Sequence, residues 1–329
     1  MKRLLVRLCG IAMFFARVCR FLNDICCIFL SNLSSLNWKC DSMRMEEKPV
    51  CNSEEFCAEI EVIEELLESY EIEDDYNKRM VLAREVALIE RLNGYEFKSL
   101  ISVDDKRLEL KSQILKELVD LTIPKNDDDI RIGYGGSKPR NRVRMNKKAI
   151  ILLGLPASGK STVAQVMSDM QGAYVIDSDF AKRKFPELAF PNGAFWTHDE
   201  SDDLIYQEAD CLFANCLNID ANMVIPKVGA NKDSIVSIYN TLKAFDYDVS
   251  LGLVWLEPKK ALKRAIKRYQ NSKRYVPIFK IISDSDGPLR VFSELITELD
   301  LEGHVHLSSD VKINEPCDIV QMSEDCIWW

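Results

Sequence analysis

The stretch Gly154-Leu155-Pro156-Ala157-Ser158-Gly159-Lys160-Ser161 constrains the fold more than any other. It completes the pattern Gly, four residues, then Gly-Lys-Ser. The apolar run Ile150–Leu153 precedes it and a helical pattern over Lys160–Met170 follows, so the spacing predicts strand, tight loop, helix. Glycines in such a loop let backbone N–H groups turn inward, and the helix points its positive end at the same place. The product is a cradle for phosphate groups, formed by Gly154 through Thr162. Lys160 then supplies a cation for β- and γ-phosphates, and the Ser161 hydroxyl stands where a Mg²⁺ ligand belongs.

Short apolar runs alternate with helical stretches after this point. Ala149–Leu153, Ala173–Ile176, Asn222–Val228 and Asp248–Leu256 read as strands. Helical patterns cover Lys160–Met170, His198–Leu217, Asp233–Phe245 and Lys259–Tyr269, and further strands fit Val305–Leu307 and Asp318–Met322. Strand and helix in alternation predict an α/β fold of P-loop NTPase type, a parallel sheet flanked by helices, over residues 148–329.

The front of the chain differs. Residues 1–45 form a basic apolar segment; within residues 1–40, Lys2, Arg3, Arg7, Arg17, Arg20 and Lys39 face one acid, Asp24. The uncharged run Leu8–Ala16 falls short of the ~20 residues a bilayer span needs. A signal-like or membrane-surface segment, a tail without structure, and an upstream extension ahead of starts at Met43 or Met45 all fit it. Residues 46–125 read as a small all-α bundle: Ser53 caps a helix striped by Phe56, Ile60, Ile63, Leu67 and Tyr70; a second helix stops at Asn93-Gly94. A third is expected from about Asp104 to Leu121, burying Leu108, Leu115 and Leu118. Residues 126–147 read as a linker, acidic at Asp127–Asp129 and basic from Lys138.

The net charge of −9 argues against a nucleic-acid partner. The eleven cysteines include no C-x-x-C pair and are odd in number, so neither a zinc ribbon nor a full disulfide framework is expected. A reducing, cytoplasmic setting follows, with Cys211, Cys216, Cys317 and Cys326 as small apolar residues.

A phosphate cradle leaves the chemistry open. Tyr174-Val175-Ile176-Asp177-Ser178-Asp179 places two carboxylates at a strand end, where open α/β sheets bind ligands. They are candidates for the Mg²⁺ shell and for a general base taking the proton of an acceptor hydroxyl; capping the next helix is the plainer alternative. Pro258 to Ser283 holds nine Lys or Arg and no acid. Leu262, Ala265, Ile266 and Tyr269 form its buried stripe, opposite Lys263, Arg264, Lys267 and Arg268, so a solvated basic face and an arginine-bearing lid both fit. Thr197 and Glu200 have capping-box spacing. Glu208 lies at a helix position from which the crevice is in reach. The histidines (His198, His304, His306) have no metal-ligand spacing, and Trp328-Trp329 has no evident role.

The phosphate loop, Ile176-Asp177-Ser178-Asp179-Phe180 with Phe185-Pro186, and Arg268-Tyr269 with Arg274-Tyr275-Val276-Pro277 resemble the zeta-toxin family of P-loop kinases over about Lys148 to Ile282. Members phosphorylate a sugar hydroxyl of UDP-N-acetylglucosamine or a related nucleotide sugar. The resemblance implies ATP and Mg²⁺ as cofactors, Asp179 as general base, Lys160 and Ser161 at the nucleotide and metal, and Arg268 and Arg274 as lid arginines. It also implies Asp177 and Glu208 at the substrate and a helical antitoxin as an inhibitor; the chain's own N-terminal helices fit either a restraint in cis or plain packing. One stretch departs from the family. Where an acidic residue and a Gly-Thr-Gly-like segment shape the sugar site, this chain has Pro226-Lys227-Val228-Gly229.

Overall fold

The computed structural model describes residues 105–329, apart from 190–192, 273–275, 277 and 313–314. The basic segment 1–45, the first two expected helices and Arg274 therefore lie outside the described residues.

The chain enters through helix α1 (Asp105–Asp120) and a 3₁₀ turn at Asp127–Asp129. Strand β1 (Lys148–Leu153) leads through the phosphate loop into α2 (Lys160–Gln171), then β2 (Tyr174–Val175) and α3 (Ser178–Lys182). Short helices α4 (Gly193–Trp196) and α5 (His198–Asp202), a π turn (Asp203–Gln207) and α6 (Leu212–Asn218) precede β3 (Met223–Lys227). Then come α7 (Lys232–Ala244), β4 (Asp248–Trp255), α8 (Pro258–Ser272), α9 (Ile278–Ser283) and α10 (Gly287–Glu298). Strands β5 (Gly303–Ser308) and β6 (Asp318–Met322) close the sheet.

The six strands run in the order β2-β3-β1-β4-β5-β6. The first five are mutually parallel and β6 pairs antiparallel on the edge. Parallel strands covered on both faces require continuous apolar runs. Ile150, Leu152, Leu153, Val224, Ile225, Val249 and Leu253 supply them, all fully buried. Because the strands are parallel, β1, β2 and β3 end at one edge of the sheet, with β3 between the other two.

Several expectations need correction. The stretch His198–Leu217 is not one helix: the Glu208 N–H reaches the Asp203 carbonyl at 2.9 Å, and Cys211 caps a fresh helix. Tyr206 explains the break, since its hydroxyl donates to the Ile176 carbonyl at 2.9 Å and pulls the turn onto β2. The capping box does not form. Thr197 directs its hydroxyl back to the Gly193 carbonyl, and Glu200 is held by Arg107. Leu108 is 52% exposed, while the helix buries Arg107 with Ile114 and Leu118.

Ile114, Leu118, Ile123 and Ile130 belong to the same apolar core as the sheet. Polar contacts fix α1 as well. Arg107 forks onto Glu200 (3.0 Å) and Glu187 (2.8 Å) and lies over the Phe185 ring. Glu117 accepts from Lys184 at 2.6 Å. The carboxyl of Glu117 sits below its usual range: burial pushes it up, but hydrogen bonds from Lys184, Gln113 and the Gly133 N–H outweigh that. At the far end Trp328 is fully buried, giving the terminal aromatic pair a packing role. Cys211, Cys216 and Cys326 are buried free thiols. No helix among the described residues is long and apolar enough to cross a membrane.

Candidate active site

The phosphate loop is built on backbone conformations few residues tolerate. Gly159 caps α2 at φ +93°, in the left-handed region. At Gly154 a Cβ would lie 2.5 Å from the Val254 carbonyl oxygen, so only glycine lets β1 turn beside β4. Ala157 takes φ +61° between them. Pro156 opens the turn that the Ser158 N–H closes onto the Leu155 carbonyl at 3.1 Å. Lys160 folds back, donating from Nζ to the Gly154 carbonyl and, at 2.7 Å, to that of Leu155. The Ser158 hydroxyl is fully buried and has no hydrogen-bond partner among the described residues. An orphaned hydroxyl donor in the phosphate loop fits phosphate oxygens. Ser161 and Thr162 form the first turn of α2, and the Thr162 N–H bonds the Gly159 carbonyl at 3.1 Å. Among the described residues no group of three or more His, Cys, Asp or Glu could hold a metal by itself. A Mg²⁺ ion held by Ser161 and phosphate oxygens needs no such group.

Asp177 and Asp179 follow β2 at the same edge of the sheet. Asp177 is the N-cap of α3, accepting the Asp179 N–H at 2.9 Å, so the capping reading holds for it. Asp179 occupies the first turn and pairs with Lys182 at 3.0 Å. Sequence reasoning gave Asp202 and Tyr206 no role and did not place His198 or Lys227 beside these carboxylates. Asp202 accepts from the Ser178 hydroxyl at 2.9 Å, and His198 lies within electrostatic reach of Asp179, Asp202 and Lys182. Lys227 ends β3 with its ammonium 3.6 Å from the Tyr206 ring centre. Desolvation lowers the Lys227 pKa, against the pull of Asp202 and Asp177. Burial raises the Tyr206 phenol well above its ordinary value, with Asp177 and Asp202 adding to the effect. Only one signal marked this set in the sequence: a lysine closing an otherwise apolar strand.

Glu208 follows the π turn and pairs with Lys111 of α1 at 2.5 Å. The basic stretch forms α8 and α9, whose Leu262, Ala265, Ile266, Ile278, Ile281 and Ile282 make a separate apolar cluster. Leu155 of the phosphate loop belongs to that cluster, so the basic helix is seated on the loop itself. Arg264 donates to the Ser309 carbonyl at 2.8 Å, and Ser309 packs beside Gly159. Arg268 reaches the other way, to Asp128 at 2.9 Å. Asp128 is itself fixed by Arg183.

These features define a P-loop protein of the NTPase type, and the AAA domain family matches residues 150–280. Within that class the chain is similar to several solved structures. One such structure comes from the PezAT chromosomal toxin-antitoxin system of Streptococcus pneumoniae, 16% identical with a TM-score of 0.47 over 68% of this chain and 83% of that one. Another is AvrRxo1-ORF1:-ORF2 with ATP, 16% identical with a TM-score of 0.40 over 66% and 65% of the two chains. A gluconokinase from Sinorhizobium meliloti 1021 is 14% identical with a TM-score of 0.30, over 51% of this chain and 86% of that one. No curated protein matches the chain.

Proposed function

We propose that the chain is an ATP-dependent phosphotransferase that moves the γ-phosphate onto a hydroxyl of a small molecule. By its resemblance to zeta toxins, that molecule is a nucleotide sugar of the UDP-N-acetylglucosamine kind. The observation that carries this reading is the shared edge of β1 and β2: a phosphate loop with a buried, unpartnered Ser158 hydroxyl lies at the same edge as the carboxylate pair Asp177 and Asp179.

Each group then has one task. Backbone amides of the loop and Lys160, released from its own carbonyls, hold the β- and γ-phosphates. Mg²⁺, when bound through Ser161 and phosphate oxygens, neutralises charge on the transferring group. Asp179 takes the proton of the incoming alcohol, and Asp177 holds the turn that aims it. Arg268, once released from Asp128, and Arg274 stabilise the equatorial oxygens in the transition state. Lys160→Ala and Asp179→Ala should each abolish transfer from γ-labelled ATP to an acceptor in a cell extract, read by mass spectrometry. Saturable ATP binding with no acceptor-dependent ADP release would leave only a nucleotide-binding module.

A nucleoside or antibiotic hydroxyl is the second reading, kept open by the departure of Pro226-Lys227-Val228-Gly229 from the family's segment. An antitoxin or an inhibitory N-terminal region also belongs to this proposal, because two of the similar structures are complexes named as toxin-antitoxin or two-component assemblies. Deleting residues 1–104, which keeps α1 and its core residues, should raise activity if the region restrains the enzyme in cis; unchanged turnover would refute that restraint.

A further inference from the structure

Lys227 stands between the two halves of the site. It ends β3, the strand between β2 and β1, and its parallel partner is Leu153, the residue before the phosphate loop. Two features pin that strand end. The Gly154 N–H bonds the Val228 carbonyl at 3.2 Å, and a Cβ at Gly229 would press on Leu153 at 2.9 Å. The ring beneath the ammonium is equally fixed, since the Tyr206 hydroxyl is bonded to Ile176.

Among the described residues nothing accepts a hydrogen bond from this ammonium. Its contact is the Tyr206 ring face, which supplies cation–π attraction but no oxygen. The nearby carboxylates are engaged elsewhere, Asp177 with the Asp179 N–H and Asp202 with the Ser178 hydroxyl. Three donors on a half-buried ammonium are costly to leave unmatched. Desolvation shows in its lowered pKa. Lys182 adds a second ammonium within electrostatic reach.

We infer that Lys227 is a specificity-determining residue that takes an anionic group of the acceptor, so the substrate is an alcohol carrying a phosphate, diphosphate or carboxylate. This rests on the kinase reading above and narrows it. Nucleotide sugars and sugar acids or phosphates satisfy Lys227; neutral nucleosides and polycationic antibiotics do not. The segment Pro226-Lys227-Val228-Gly229 thus bears on the acceptor, with the ATP side of the site left to the phosphate loop.

The test uses the full chain with ATP and Mg²⁺. UDP-N-acetylglucosamine, gluconate and glycerol 3-phosphate serve as anionic alcohols; uridine, N-acetylglucosamine and an aminoglycoside serve as neutral and cationic ones. A cell extract is run in parallel with γ-labelled ATP. Product should arise from the anionic class. Lys227→Gln should raise the acceptor KM about tenfold or more, as loss of a charge-assisted hydrogen bond requires. ATP affinity should stay within about twofold on the same scale. Lys227→Arg should restore most of the acceptor affinity, which separates ligand binding from a folding defect. Product from an uncharged or cationic alcohol overturns the assignment alone, as does Lys227→Gln with unchanged acceptor kcat/KM or with ATP weakened equally. No acceptor-dependent ADP with any probe or with the extract removes the kinase reading, and Lys227's role with it.

Discussion

The phosphate side and the carboxylate side of the site are made by opposite strategies. Lys160 is oriented by carbonyls five and six residues away in the chain. On the carboxylate side, Arg107 reaches Glu200 across 93 residues, and Arg268 reaches Asp128 across 140. A loop whose shape is set by its own glycines needs little from the rest of the fold. A surface assembled from ion pairs exists only once the sheet has brought the partners together. The first is therefore the same in many proteins, and the second is where a chain acquires its own acceptor.

That contrast can be broken by substitution. The largest effect is expected at Asp179: Asp179→Asn should lower kcat by about 10²–10⁴-fold, the usual reach of general-base catalysis, while calorimetry shows ATP binding intact. A comparable loss in both would mean that the two sides are one unit. Next comes the brace that positions the carboxylate side. Arg107→Met leaves Glu187 and Glu200 facing each other without their cation, which should cost about 3 kcal/mol or more in denaturant unfolding. A variant as stable as the parent would show that the fork is ornamental.

Acid should loosen a second contact of α1, the Glu117–Lys184 pair. The Glu117 carboxyl is held below its ordinary value in the fold. Its contribution is therefore complete above the unfolded value, near ~4.3, and is lost as pH falls through the folded one. Glu117→Gln should flatten the acid limb of a melting-temperature profile, leaving the neutral region lower but level; an unchanged acid limb would count against this pairing. The smallest effect is expected at Glu208. Its carboxylate pairs with Lys111 at the surface, so Glu208→Gln should change stability by less than about 1 kcal/mol. A several-fold rise in acceptor KM would instead place Glu208 at the substrate.

Legibility followed the range of the forces. The strands β1 to β4 and helices α2, α7 and α8 were readable because apolar period and glycine stops are local signals. Helix α10 was missed, although Pro288 at the first turn and Val291, Phe292 and Leu295 at helical spacing marked it. The break at Asp203–Gln207 was not readable, because Tyr206 leaves the helical path for a carbonyl thirty residues earlier. Arg107 gave no warning either. A charged residue on an exposed-looking helix face becomes buried only where two acids from later segments arrive to meet it.

By itself the sequence determined the phosphate cradle, since Gly154, Gly159 and Lys160 act through backbone geometry within a few residues. It also determined the parallel sheet, through runs apolar enough to be covered on both faces. Tertiary structure alone decided what surrounds Asp179, which face of α1 is buried, and that Lys227 stands over Tyr206 between carboxylates and phosphate loop. Local conformation is fixed by the sterics of neighbouring residues, whereas a charge acquires its role from groups that only the folded chain brings within a few ångströms.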